Sequence, residues 1–375
     1  MNRRNFLKSS ILASTSLIII PKLPAETPKF SFPGICYGPF RRGQSPGNIY
    51  PSEAQIREDL QNLKLLTTKV RTYGSEAILG QIPRISNEVG IDCYPGAWID
   101  TQEAGNQQQL SNLITIANQN YPHTKCLVIG NETLLTGRNT KSNLLAYISQ
   151  VKSSTSIPVT TAEPWHLWAD SSNVDLANLV DKIMIHVHPY WESPYWSPQL
   201  NAINGAQHVL DRYNQISQKY PGKQIIVGET GWPTSGAQVG SAIPSIENQL
   251  LFLQELRRIM PPDSYFVFEA YDESWKGSGV EGNWGIFDEN SIPKQAIKNI
   301  WNKDNLKTII KKSSRIELQT QTLPGQNYSI ESSSNTPNPP WSSISNFTAK
   351  TQTQFTTNSF PFQTSSSKFY RIKTN

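Results

Sequence analysis

The 375-residue chain has little cysteine, little charge and no long apolar run. Its three cysteines, Cys36, Cys93 and Cys126, stand far apart, each inside an apolar, strand-like stretch. An odd number at that spacing excludes a disulfide framework and gives no zinc-site pattern; small buried hydrophobes are expected instead. Charged residues make up 17% of the chain and the formal net charge is +5. Part of that excess lies in Arg3, Arg4 and Lys8. Elsewhere Lys and Arg form no stripe beyond the short stretch 307–315, so nucleic acid is not an expected partner. The apolar run at residues 9–20 is too short to span a membrane comfortably. No glycine-rich phosphate loop follows the first strand-like run, which weighs against a doubly wound open sheet.

What is present is a hydrophobic content of 37%, enough for a sizeable core. The 10 Trp and 14 Tyr offer flat faces that suit sugar rings, although such residues also fill ordinary cores. The start, "MNRRNFLKSSILASTSLIIIPKLPAE", is a targeting segment rather than structure. Its Arg3-Arg4-x-Phe6-Leu7-Lys8 string resembles a twin-arginine export signal. Residues 1–28 are assigned to that signal, with cleavage near Ala25, and the chain is expected in the periplasm or outside the cell.

From residue 32 to 301 short β-type runs alternate with helical patterns. The runs are "FPGICYG", "TKVRTYG", "IDCYPGAWID", "TKCLVIGNE", "IPVTTAEPW", "DKIMIHVHPYW", "QIIVGETGWP" and "SYFVFEAYDE". Most are rich in Val, Ile, Tyr and Phe and bounded by Gly, Pro or polar residues. Between them, "PSEAQIREDLQNLKLL" places apolar residues at 56, 60, 63 and 66, one face of a helix. "QQLSNLITIANQN", "KSNLLAYISQVKSS", "AQHVLDRYNQISQKY" and "SIENQLLFLQELRRIM" read the same way, while the link between the fifth and sixth runs is less clearly helical. Eight strand–helix repeats predict a (β/α)8 TIM barrel over residues 29–302. Residues 303–375 are dense in Ser, Thr, Gln and Asn but keep alternating pieces such as "SRIELQTQ" and "NYSIESSS". They predict a small antiparallel, sandwich-like β-module, with a polysaccharide or envelope partner as its candidate ligand; disorder is the alternative.

In such a barrel, chemistry sits at the C-terminal ends of the strands. Glu132 ends the fourth run and Glu229 the seventh, so both reach the same rim. One glutamate at a strand end reads as an ion pair or helix cap. Two at one rim fit glycoside hydrolysis, in which one carboxyl protonates the leaving oxygen and the other attacks the sugar carbon or activates water.

The strings "VIGNE" and "IIVGETGWPT" resemble the acid/base and nucleophile motifs of glycoside hydrolase family 17, the β-1,3-glucanase and glucanosyltransferase family. "GICYGPF", "KVRTYG", "AEPW", "HPYW", "FEAYDESWK" and "EGNWGIF" are similar to other rim segments of that family. "YGPFRRGQSP" looks like a bacterial-type or fungal member rather than a plant one. The resemblance implies that Glu132 is the acid/base and Glu229 the nucleophile of a retaining mechanism, with Asn131 on the sugar 2-hydroxyl. It needs no cofactor and no metal.

Supporting candidates follow from position. Tyr190 could orient Glu229 or be a core tyrosine. Glu273 and Lys276 could tune the catalytic pair or form a loop ion pair, and Glu281 is similar. Trp232, Trp275 and Trp284 are candidate sugar platforms or loop packing. Tyr37, Arg71 and Tyr73 end the first two runs and suit either the pocket or the barrel interior. Glu163 and Trp165 end the fifth run and could bind a hydroxyl and stack a ring. Plant members carry Asn-x-Tyr-Pro-Tyr where this chain has His186-Val-His188-Pro-Tyr190. Two histidines two apart share a strand face. A metal pair is conceivable there, but no third ligand motif accompanies it, and hydrogen bonding to sugar or carboxylate fits better. The expected activity is endo-β-1,3-glucan hydrolysis by a monomer acting on β-glucan polysaccharide or oligosaccharide. The alternatives are a β-1,3-glucan glucanosyltransferase using the same glutamates, or a glucan-binding protein without catalysis.

Overall fold

The computed structural model describes residues 31–298 and six C-terminal strands at 308–312, 315–321, 327–333, 342–348, 355–361 and 369–374. The export signal and the 302/303 boundary read from the sequence lie outside the described residues.

The β-branched and aromatic runs form strands β1 (Ile35–Cys36), β2 (Lys69–Arg71), β3 (Asp92–Tyr94), β4 (Gly96–Ala97), β5 (Leu127–Asn131), β6 (Val159–Pro164), β7 (Lys182–His186), β8 (Gln224–Thr230) and β9 (Tyr265–Val267). Their order is β3-β2-β1-β9-β8-β7-β6-β5-β4, and every neighbouring pair is parallel. The two ends of that order, β3 and β4, are consecutive pieces of one run, broken at Pro95, which has no N–H to give a ladder. The ladder therefore returns to its own start, and the expected (β/α)8 barrel closes.

Helices α1 (Glu53–Leu63), α2 (Ile82–Val89), α3 (Glu103–Asn118), α4 (Lys141–Lys152), α5 (Trp165–Ala169), α6 (Val174–Leu179), α7 (Pro189–Glu192), α8 (Ala202–Lys219) and α9 (Ile246–Ile259) connect the strands. Ser52, Thr140, Asn201 and Ser245 start α1, α4, α8 and α9 by accepting a first-turn amide hydrogen. Helix α1 buries Ile56, Leu60 and Leu63, the stripe its periodicity predicts. The link between the fifth and sixth runs is the short pair α5 and α6, too brief for a periodic signal. Helix α2, at 8 residues, went unread for the same reason.

Two apolar layers result. Cys36, Val128, Ala162, Met184, Ile226 and Phe266 come from successive strands and fill the barrel interior. A larger cluster, including Ile35, Leu60, Leu127, Ile183 and Leu256, lies between sheet and helices. All three cysteines are buried and free.

The C-terminal strands are β10 (Thr308–Lys312), β11 (Arg315–Gln321), β12 (Asn327–Ser333), β13 (Ser342–Thr348), β14 (Phe355–Pro361) and β15 (Phe369–Thr374). They form two three-stranded sheets, β10-β11-β14 and β13-β12-β15. All four pairings are antiparallel, as the alternating pattern predicts.

Gly231, just past β8, passes so close to the backbone beyond β9 that an added Cβ would run into the Phe268 carbonyl oxygen. Gly231→Ala should therefore cost roughly 1–3 kcal/mol or more as overpacking. Gly279→Ala, whose Cβ would meet nothing within 4 Å, should stay within about 0.5 kcal/mol of the parent. Urea unfolding of both variants checks this; equal midpoints would contradict the close approach.

Candidate active site

Glu132 and Glu229 reach the rim by different backbone devices. Within β5 the pairing with β6 slips between Val128 and Asn131, and Glu132, the next residue, takes a left-handed φ of 51°. A non-glycine residue held there costs of order 1–3 kcal/mol and persists only where its surroundings impose it. They do so here. The Glu132 amide donates to the Ala162 carbonyl at 2.8 Å, and the next turn is tied down by Glu163. The Glu163 carboxylate accepts from the amides of Leu134 at 2.8 Å and Leu135 at 3.3 Å. Burial pushes the Glu163 carboxyl up to about 7 against the pull of those amides. Glu163 does not line the cavity; it braces the turn that carries Glu132 instead of meeting a sugar hydroxyl.

On the other side, Glu229 sits on β8 directly after Gly228. A Cβ at Gly228 would strike Met184 and stand 3.1 Å from Nη1 of Arg71. The missing side chain lets the Arg71 guanidinium come in from β2 and donate to the Gly228 carbonyl at 2.9 Å and to Glu229 Oε1 at 3.1 Å. The Arg71 side chain is 1% exposed and that of Glu229 6%. From the same group, Nη2 donates to Asn131 Oδ1. With its oxygen so engaged, Asn131 keeps its NH2 as the free donor at the cavity.

His186 links the two carboxylates. Its Nε2 stands 2.9 Å from Arg71 Nη1 and 3.5 Å from Glu229 Oε1. Nδ1 carries the hydrogen given to Glu132 Oε1 at 2.8 Å. His188 Nε2 donates to Glu229 Oε2 at 3.3 Å. His186, His188 and Glu229 bring one ligand atom each within 4.8 Å of one another, a possible cation cage. Arg71 already supplies the positive charge at that point, so these donors do not make a built metal site.

Burial alone would raise both catalytic candidates. For Glu229 the His186 imidazole, the hydrogen bond from His188 and the Arg71 charge outweigh it, and the carboxyl lies well below the usual range. For Glu132 burial is offset by the His186 hydrogen bond, and the net direction is also downward, although the Glu229 charge pushes the other way. His188 is moved up; burial opposes its charge, but its bond to Glu229 and the Glu229 charge prevail. The Glu132 side chain is 24% exposed, four times as open as Glu229.

Both glutamates line a cavity of about 920 Å³, at the upper end for a ligand site. Tyr37, Tyr73, Asn131, Trp165, His188, Glu273, Lys276, Glu281 and Trp284 line it too. Tyr37 is fully buried, with its hydroxyl tied to Asp59 at 2.9 Å, so it backs the cavity wall and offers no open face. Arg71 stacks on Tyr73 at 5.0 Å. Trp165 is fixed by a bond from Nε1 to Glu192 at 2.9 Å. Trp284 lines the cavity but is 1% exposed and packs edge-on against His188, so it supports that histidine more than it offers a platform.

Two candidates lie elsewhere. The Tyr190 hydroxyl donates to the Ala237 carbonyl instead of reaching Glu229; His188 takes the place foreseen for it. Trp232 is fully buried, bonds the Ile243 carbonyl and lies outside the cavity. Trp98, Trp191, Trp196 and Phe40 line the cavity without having been singled out, and Trp275 is 42% exposed there. Glu192, which holds Trp165, was also missed; no local spacing marks it.

A family model for the BtgE/BtgC glycoside hydrolase domain matches residues 34–285. The probable beta-glucosidase btgE of Aspergillus terreus is 28% identical over 267 residues, covering 68% of this chain and 46% of that protein. The glucan endo-1,3-beta-glucosidase btgC of Emericella nidulans is 27% identical over 303 residues, covering 71% and 46%. The chain thus spans less than half the length of these curated relatives, which are fungal. A glycoside hydrolase family 17 beta-1,3-glucanosyltransferase from Rhizomucor miehei matches in structure with a TM-score of 0.61 at 26% identity, over 72% of this chain and 96% of that one. An active-site mutant of the same Rhizomucor miehei transferase, in complex with laminaritriose, matches equally.

Both glutamates should respond in pH profiles of kcat/KM taken with a β-1,3-gluco-oligosaccharide as test substrate. Arg71→Met removes a charge that holds Glu229 low, so its carboxyl rises and the acid limb moves to higher pH, with a fall of about 10²-fold or more in kcat/KM. His186→Phe removes the donor to Glu132 and also the leading counterweight to the burial of Glu229, so both limbs move to higher pH. Limbs that stay put in both variants would contradict this assignment.

Proposed function

The chain belongs to the BtgE/BtgC glycoside hydrolase domain family, and from that premise we propose that it is a retaining glycoside hydrolase cleaving β-glucan, foremost endo-β-1,3-glucan. The observation that carries the reading is the pair itself. One carboxylate is buried and held ionised by Arg71 and His188, the other is open to the cavity, and a single imidazole spans them. In the first step a Glu229 oxygen attacks the anomeric carbon. The glycosidic C–O bond breaks, and the leaving oxygen takes the proton of Glu132. In the second, water gives a proton to Glu132 as it attacks the same carbon and frees Glu229. Retention calls for carboxyl groups about 5–5.5 Å apart. With Oε1 of Glu132 on His186, Oε2 is the natural carrier of the transferred proton.

The low direction of Glu132 in the free protein fits this chemistry at acidic pH. Substrate that covers Glu132 adds burial and raises its pKa toward that of a proton donor. Tyr73, Trp165 and Trp275 suit the apolar faces of sugar rings, and Asn131, Glu273 and Glu281 suit hydroxyls.

The Rhizomucor miehei transferase favours a second reading, in which a sugar hydroxyl replaces water in the second step. Products of a labelled β-1,3-gluco-oligosaccharide, followed by mass, separate the two. Shorter products alone support a hydrolase, and products longer than the starting sugar a transferase. Glu229→Gln and Glu132→Gln should each lose about 10³-fold or more. Turnover by either variant at the parent rate would refute the assignment.

A further inference from the structure

Beside the cavity lies a buried group of two carboxylates and one ammonium whose wiring is unequal. Lys276 Nζ stands 3.0 Å from each oxygen of Glu269 and 2.5 Å from Oε2 of Glu273. An ammonium has three hydrogens to give. All three are used here, so Lys276 lines the cavity with no donor left for a ligand. Glu273 is different. Its Oε2 is taken by Lys276, but its Oε1 is buried without a partner among the described residues, and the residue lines the cavity. Its side chain is 4% exposed, and a Cβ on Gly38 would collide with that oxygen, so glycine there gives it room. A buried carboxylate oxygen left unpaired is costly unless something bonds it.

Glu269 makes no contact with the cavity and is 1% exposed. Burial pushes its carboxyl well up, against the pull of Lys276, and both the charge of Glu273 and a side-chain hydrogen bond shared with Glu273 add to the rise. The barrel thus retains a costly buried acid that no substrate can touch. We infer that Glu269 is a positioning residue: by occupying two of the three hydrogens of Lys276 it confines that ammonium to one oxygen of Glu273 and leaves the other free for a sugar hydroxyl. Without Glu269, Lys276 would turn onto both oxygens of Glu273 and close the acceptor. The inference rests on the glucan reading of the cavity.

The test is a double-mutant cycle on binding, made in the Glu229→Gln protein so that nothing turns over. Laminaritriose is titrated by calorimetry. Glu269→Leu should weaken binding about tenfold, and Glu269→Gln, which keeps one acceptor, should restore most of it. In a Glu273→Ala background the same Glu269→Leu change should have no effect on Kd. Lys276→Gln gives a second cycle should Glu269→Leu fail to fold; its effect must likewise vanish in Glu273→Ala. Effects that multiply in the doubles, or a Glu269→Leu protein that melts earlier but binds as the parent does, overturn the positioning role. A Glu229→Gln protein that does not bind laminaritriose, next to a parent that does not act on it, refutes the glucan reading itself and the inference with it.

Discussion

One buried guanidinium organises the site. Arg71 comes from the second strand position of the barrel, yet it touches the groups delivered by the fourth, sixth and seventh: Asn131, His186 and Glu229. Burying a charge to this extent is costly unless it is paired and its donors are satisfied. Here the acceptors are the Glu229 carboxylate, the Gly228 carbonyl and the Asn131 amide oxygen, with His186 close by, while Arg71 Nε is buried without a partner among the described residues. Part of the cost of burial is offset by the same contacts that keep Glu229 ionised. Removing either partner leaves the other charge stranded, which ties stability at the barrel centre to the chemistry at its rim.

The backbone is shaped to allow this. Gly228 clears a path for the guanidinium, and past the slipped pairing within β5 Glu132 takes a left-handed conformation braced by Glu163. The two glutamates thereby acquire different surroundings although both end a strand. Glu229 is enclosed by donors. Glu132 meets a single donor and the open cavity. Unequal surroundings are what two carboxyl groups need if one is to attack and the other to carry a proton.

Much of this architecture is written locally in the chain. Eight strand-like runs and the helical stripe at 56, 60 and 63 need only neighbours in sequence to be read, and they give the barrel and its rim. The positions of Glu132 and Glu229 follow, because a residue at the end of a strand needs no tertiary information to be placed at that end. What sequence left open depended on register and on contacts across the barrel. Whether Arg71 serves pocket or interior turns on the approach that Gly228 permits, and the answer is both. Tyr190 and His188 are two residues apart, and only the turn after β7 decides that the histidine meets Glu229 while the tyrosine meets Ala237. Trp232 looks like a platform in "GETGWP" but faces the core, whereas Trp98 and Trp196 reach the cavity from loops with no periodic signal. Glu269 stands in plain view in "FEAYDE", yet its role requires counting the hydrogens on Lys276.

The central claim is that Arg71 and His188 hold Glu229 as the nucleophile. The most direct measurement is covalent capture. The protein is incubated with a 2-deoxy-2-fluoro β-glucoside carrying a good leaving group, which slows release of a glycosyl-enzyme, and its peptides are then mapped by mass spectrometry. The account predicts one added sugar, attached to Glu229, and none on the Arg71→Met protein under the same conditions. Attachment to Glu132, or turnover with inverted anomeric configuration and no attachment, would contradict it.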